Sequence, residues 1–95
     1  MAHLNVDAFN VNGDSALTLA GNAEIVTVLC DRLHPDLFAR KSPNHPSQLE
    51  FYVNMARKNI DATERDKLRA LLPYIRMRRT ELQTAESIIE AAVNN

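Results

Sequence analysis

Few residues in this 95-residue chain carry side chains suited to chemistry: three histidines, His3, His34 and His45, and one cysteine, Cys30. A metal centre needs His, Cys or carboxylate groups at ligand spacing, and these histidines have neither that spacing nor a cysteine pair to assist them. A covalent mechanism needs a nucleophile with a base beside it, and no such pair can be assembled from the sequence. These absences predict a chain that is not an enzyme and uses no cofactor and no metal. His34 stands apart because it opens the tripeptide His34-Pro35-Asp36 within RLHPDLFARK, flanked on both sides by helical sequence. Such a corner can simply stop one helix and start a short turn, with Asp36 set favourably against its dipole. Alternatively, it can be an exposed, charge-bearing surface that another protein reads.

The chain that must position this corner is one compact domain over residues 1–95, with 45% hydrophobic content and a net charge of only -1. Cys30 cannot form an internal disulfide, and neither a secretory signal nor a bilayer-length apolar run is present, which predicts a reducing cytoplasm and no membrane. Charge is unevenly spread. No Lys or Arg precedes Arg32, six bases and Asp66 lie between Arg65 and Arg79, and only acids follow among the charged residues. On a straight helix Arg65, Arg69, Arg76 and Arg79 share one face, a basic patch beside Tyr74. Such arginines more often form a solvated or ion-paired face, so nucleic acid is not the expected partner. Glu86 and Glu90 continue nearly the same stripe with opposite sign, a self-complementary arrangement for an antiparallel dimer.

The elements read as mainly helical. Ile25, Val26, Leu29, Cys30 and Leu33 recur at helical spacing, and Pro35 disfavours helical geometry at His34, which stops the helix there. KSPNHPS is a loop. Ser47 and Glu50 form a capping box that opens a helix with the stripe Leu49, Val53, Ala56 and Ile60. Asp61 with Glu64, or Thr63 with Asp66, caps the next. Leu68, Ile75, Leu82 and Ile89, with Leu71, Ala85 and Ala92, then keep a seven-residue rhythm that Arg78 interrupts. Pro73, outside that seam, predicts a kink or break near Leu72. Residues 1–21 can be drawn as a hairpin turning at Asn12-Gly13, with Leu4, Val6 and Ala8 on one face with Leu17 and Leu19. They can equally be a short helical turn, DAFNV, before a Gly-Asp-Ser loop, and the local pattern leaves both open.

Together these residues resemble a J-domain, the module by which DnaJ-type co-chaperones engage DnaK-type ATPases. The likeness rests on His34-Pro35-Asp36 between two helices, and on Leu29, Cys30, Arg32 and Leu33 leading into it. Val53, Ala56 and Ile60 in the next helix, the exit DATER from Asp61 to Arg65, and DAFNV with Gly13 extend it. It spans roughly residues 7–66, with 67–95 a helical extension. Departures are visible: Arg32 is nearly alone as a base, Asp31 has the wrong sign, Leu37 follows the tripeptide where a lysine is common, and the aromatic near Glu50 is displaced to Phe51. GDSALTLA followed by AEIV is also similar to part of an ankyrin repeat. Its spacing is about three residues short and no second copy follows within these residues, so the ankyrin reading is set aside.

The resemblance implies a J-like antiparallel helix pair with the tripeptide at its tip, and the residue pattern beyond it predicts a long, Pro-kinked C-terminal helix. It implies a co-chaperone or adaptor that docks on a DnaK-type ATPase through Arg32, His34, Pro35 and Asp36. The residues alone carry a second reading. A helix from Pro73 to Val93 would be roughly 30 Å long against about 18 Å for its neighbour. Leu82, Ile88, Ile89 and Val93 would then outrun their cover and serve self-association or partner binding in a regulatory module.

Overall fold

A computed structural model describes residues 6–94, and the side chains of residues 79–81 lie outside the described set. The chain is mainly helical: α1 (Ala23–Leu33), α2 (Gln48–Ala56), α3 (Ala62–Arg76) and α4 (Arg79–Val93), with no strand among the described residues. Asn22 caps α1 by accepting a hydrogen bond from the Ile25 N–H, and His34 ends the helix in the left-handed region at φ 47°. Both arms of the Ser47 and Glu50 capping box are formed on α2. The Ser47 N–H, bonded to the Glu50 carboxylate, holds that carboxyl below its usual range. Of the two signals before α3, the Asp61 and Glu64 box is the one used.

Helix α3 is the centre of the domain. Helix α1 packs on α3, α4 runs back along α3, and α2 packs mainly on α4 and less on α3. The tripeptide's two flanking helices, α1 and α2, do not pack on each other, so the J-like pairing with the corner at its tip is not the arrangement present. The fourteen residues of chain between them let each helix pack elsewhere. Leu68, Leu71, Ile75, Leu82, Ala85 and Ile89 of the seven-residue rhythm are buried together with Leu17, Val26, Leu37 and Tyr52.

The break predicted near Leu72 comes instead at Met77 and Arg78, and α3 continues through Pro73. A proline at position 73 removes only the bond to the Arg69 carbonyl, on an outer face where water can replace it. The chain turns where Arg78 leaves helical geometry, after a last turn tightened by the Arg78 N–H on the Ile75 carbonyl, and Leu82 is again non-helical as it enters the core. Pro73→Ala should therefore raise stability by about 1 kcal/mol or more, less than the full cost of a mid-helix proline because the site lies in the final turn. Urea titration measures this. An unchanged or lower midpoint would mean that the ring's packing outweighs the restored bond.

Neither drawing of the N-terminal segment is realised over residues 6–21, and Leu4 lies outside the described residues. The segment is an irregular loop closed by Asn10, whose Oδ1 accepts from the Asn12 and Asp14 N–H groups. Gly13 sits at φ 82°, and a Cβ there would come within 2.4 Å of the His45 ring, so both the turn and the close approach require glycine. Leu17 is buried while Leu19 is exposed, which a shared strand face would not allow.

Candidate functional site

The His34-Pro35-Asp36 corner is tied down from two sides. Pro35 is fully buried, and its carbonyl accepts a 2.6 Å hydrogen bond from the Tyr74 hydroxyl of α3. The Asp36 N–H donates to Asp7 Oδ1 at 3.0 Å, and the Asp36 carbonyl accepts from Gln48 Nε2 at 2.8 Å. Gln48, though polar, is 0% exposed. Its Nε2 also donates to Asp7 Oδ1, and its Oε1 accepts from the Ser15 hydroxyl. The N-terminal segment, the corner and α2 thus meet on one buried amide. Ladder-like backbone bonds, Leu49 N–H to the Leu37 carbonyl and Gln48 N–H to the Ala39 carbonyl, fix the chain beyond it.

Pro35 is therefore an internal anchor rather than part of an exposed plug, because its ring fills core space and its only hydrogen-bonding group is turned inward. The side chains of Arg32, His34 and Asp36 remain exposed. His34 is the sole non-glycine residue with positive φ among the described residues, a conformation that asparagine, aspartate and histidine tolerate better than most but glycine adopts at least cost.

Beside this corner, α1 and α3 bound a groove of about 480 Å³. Thr27, Cys30, Asp31 and His34 form one wall, and Ala70, Pro73, Tyr74 and Met77 the other. Met77 is 76% exposed and sets a flexible apolar side chain at the edge of this groove. Arg78 lies 5.4 Å from the centre of the Tyr74 ring, over its face. Burial pushes the Tyr74 hydroxyl above its usual range, against a smaller opposing pull from Arg78.

Burial, reinforced by Asp31, raises the Cys30 thiol from 9.0 to about 11. A neutral thiol is thus favoured by folding. The unfolded chain ionises first as pH rises, so this contribution to stability is complete below about pH 9 and is lost on the way to about 11. Denaturation midpoints should fall across that window in wild type and fall less in Cys30→Ala. An equal fall in both would assign the loss to other groups.

The residues set for self-association are placed otherwise. Leu82, Ile89 and Val93 are buried in this chain's own core, because the break at Met77 and Arg78 shortens α4 to the length of α3 and leaves no overhang. Ile88 is half-buried and lines a smaller groove of about 240 Å³ with Phe38, Val53 and Arg57. The basic patch also divides. Arg76 pairs with Glu86 at 3.1 Å and Glu90 at 2.8 Å, so the complementarity expected between two chains is met within one. Arg69 pairs with Asp66, Arg65 is part-buried at the far end of α3, and the Arg79 side chain is outside the described residues.

No group of three or more His, Cys, Asp or Glu residues that could hold a metal occurs among the described residues, and no helix there is long and apolar enough to cross a membrane. His45 Nδ1 lies 2.7 Å from the Ser42 hydroxyl, three residues away within one loop, with no acid bonded to the ring among the described residues. Sequence reasoning missed Gln48, Asp7 and Met77 and treated Tyr74 only as a stacking surface. Nothing in residue spacing marks Gln48, which follows an N-cap as many surface glutamines do. No family model matches the chain, and no curated protein or solved structure matches it either.

Proposed function

We propose that this chain is a non-enzymatic protein-interaction module that receives a partner segment in the α1–α3 groove, with the His34 corner as one wall. The supporting observation is the exposed Met77 across from His34 on a groove whose α3 wall is apolar, next to a corner rigidified by Tyr74 and Gln48. Asp31 on the rim makes no ion pair among the described residues, so the matching partner carries an apolar anchor and a Lys or Arg. A displayed peptide library panned on the wild-type protein tests this. Enriched peptides should combine those two features and bind Met77→Glu at least roughly tenfold more weakly, the usual loss for a truncated or charged apolar anchor. Peptides that bind this variant as well as wild type would remove the reading.

His34→Gly separates stability from recognition. Glycine adopts the left-handed conformation without the Cβ penalty, so the variant should be more stable by about 0.5–1 kcal/mol while binding the selected peptides less well. A less stable variant would mean that the imidazole contributes packing.

The exposed side chains of Arg32, His34 and Asp36 favour a second reading, in which the partner is a DnaK-type chaperone ATPase. Its measurement is ATPase stimulation by wild type against His34→Gln. Stimulation lost in the variant supports it, and no stimulation by either protein dismisses it. That α1 and α2 do not pack on each other weighs toward the first reading.

A further inference from the structure

A different region carries an unassigned charge. The α2–α3 turn and the ends of α2 and α4 surround a pocket of about 170 Å³ lined by Ala56, Lys58, Asn59, Ile60, Arg65 and Ala92. Among the described residues, Arg65 Nε is the one buried side-chain polar atom without a hydrogen-bond partner. Buried polar groups almost always find a partner, and an unsatisfied donor on a cation is the costlier exception. Neither Arg65 nor Lys58 forms an ion pair among the described residues, and the pocket lining contains no acid.

We infer that this pocket binds a small oxyanion, a phosphate or carboxylate group, between Arg65 and Lys58. Charge bookkeeping supports the sign. Within the lining two side chains bring two positive charges, while the C-terminal ends of α2 and α4, marked by Ala56 and Ala92, each bring about half a negative charge, leaving an excess of roughly one positive charge that Glu64, beside Lys58 in a neighbouring groove, reduces. Arg65 Nε is shielded from water in this conformation, so binding turns the guanidinium until its Nε–Nη edge faces the pocket. That edge then donates two parallel bonds to one oxyanion, the geometry in which arginine exceeds lysine. The Asn59 amide supplies a further donor from the same lining. Pockets that enclose whole organic ligands hold roughly 300–1,000 Å³, so the volume suits an ion or the acidic end group of a larger molecule rather than a nucleotide.

The experiment is titration of the full chain with sodium phosphate and, separately, sodium acetate at constant ionic strength set by chloride, followed by amide chemical shifts at Ile60, Arg65 and Ala92. Saturable shifts at millimolar anion are expected. Saturation by phosphate alone assigns a phosphoryl group, and saturation by acetate assigns a carboxylate. Arg65→Gln should weaken binding roughly tenfold, the loss expected for a charged hydrogen-bonding pair. Lys58→Gln, on an exposed residue, should weaken it severalfold and decides the matter if Arg65→Gln folds poorly. Arg69→Gln, outside the pocket, should leave it unchanged. No saturable shift with either anion, undiminished binding in Lys58→Gln, or an equal loss in Arg69→Gln would overturn the site.

Discussion

Gln48→Leu is expected to destabilise the domain by about 3 kcal/mol, although leucine matches glutamine in volume and the site is completely buried. Hydrophobic replacement usually helps in a core, but only when every polar partner leaves with the residue. Here Asp7 Oδ1 and the Asp36 carbonyl each lose one bond and keep another, from the Asp36 and Ala39 N–H groups, while the buried Ser15 hydroxyl loses the acceptor of its proton. An unmatched buried donor costs about 1–3 kcal/mol, and the bonds lost by Asp7 and Asp36, which water partly reaches, bring the sum to the upper end of that range. For a domain of this size the thermal midpoint should drop by about 15 °C. Amide exchange should rise most at Asp36 and Leu49. A loss below about 1 kcal/mol would show that the three partners re-pair with one another or with water.

Ile89→Ala should cost a similar amount, about 3 kcal/mol, through the cavity left where a 0% exposed side chain packed among α2, α3 and α4. This variant also distinguishes the two roles considered for the C-terminal helix. A core residue lowers the denaturation midpoint at every protein concentration, whereas a residue at a contact between copies changes sedimentation and leaves the dilute monomer nearly as stable. A small stability effect with altered sedimentation would return Ile89 to an intermolecular surface.

Local signals were the legible part of this fold. Ser47 with Glu50 and Asp61 with Glu64 act within a single turn, so their outcome needs no knowledge of the rest of the chain. The stop at His34 follows from one steric clash. The α3 and α4 seam was readable because Leu68, Leu71, Ile75, Leu82, Ala85 and Ile89 repeat over several turns. Helix pairing was not readable. An apolar stripe on α1 specifies that something must cover it, and α3 does so as well as α2 would. Pro73 shows a related limit, since the missing N–H is local while the place where the chain turns depends on burying Leu82. Asn12-Gly13 marked a turn correctly, but a hairpin also needs two strands with partners, and Asn10 and His45 hold this turn without them.

At the candidate site, His34 and Asp36 were visible because their types are distinctive in sequence. The groove beside them was not, since Met77 and Ala70 meet Thr27 and Asp31 only once α1 has settled on α3. Arg65 illustrates the same point from the opposite end of α3. Spacing placed it in a stripe with Arg69 and Arg76, yet one pairs with Asp66, another with Glu86 and Glu90, and Arg65 faces a pocket.

The amide of Gln48 joins Asp7, 41 residues away, to Asp36, 12 residues away. Both ends of that link must arrive before the corner acquires its shape, so His34 cannot be displayed correctly by a half-assembled chain. Any partner that grips the corner is therefore thermodynamically coupled to completion of the whole domain, and its occupancy would count finished molecules.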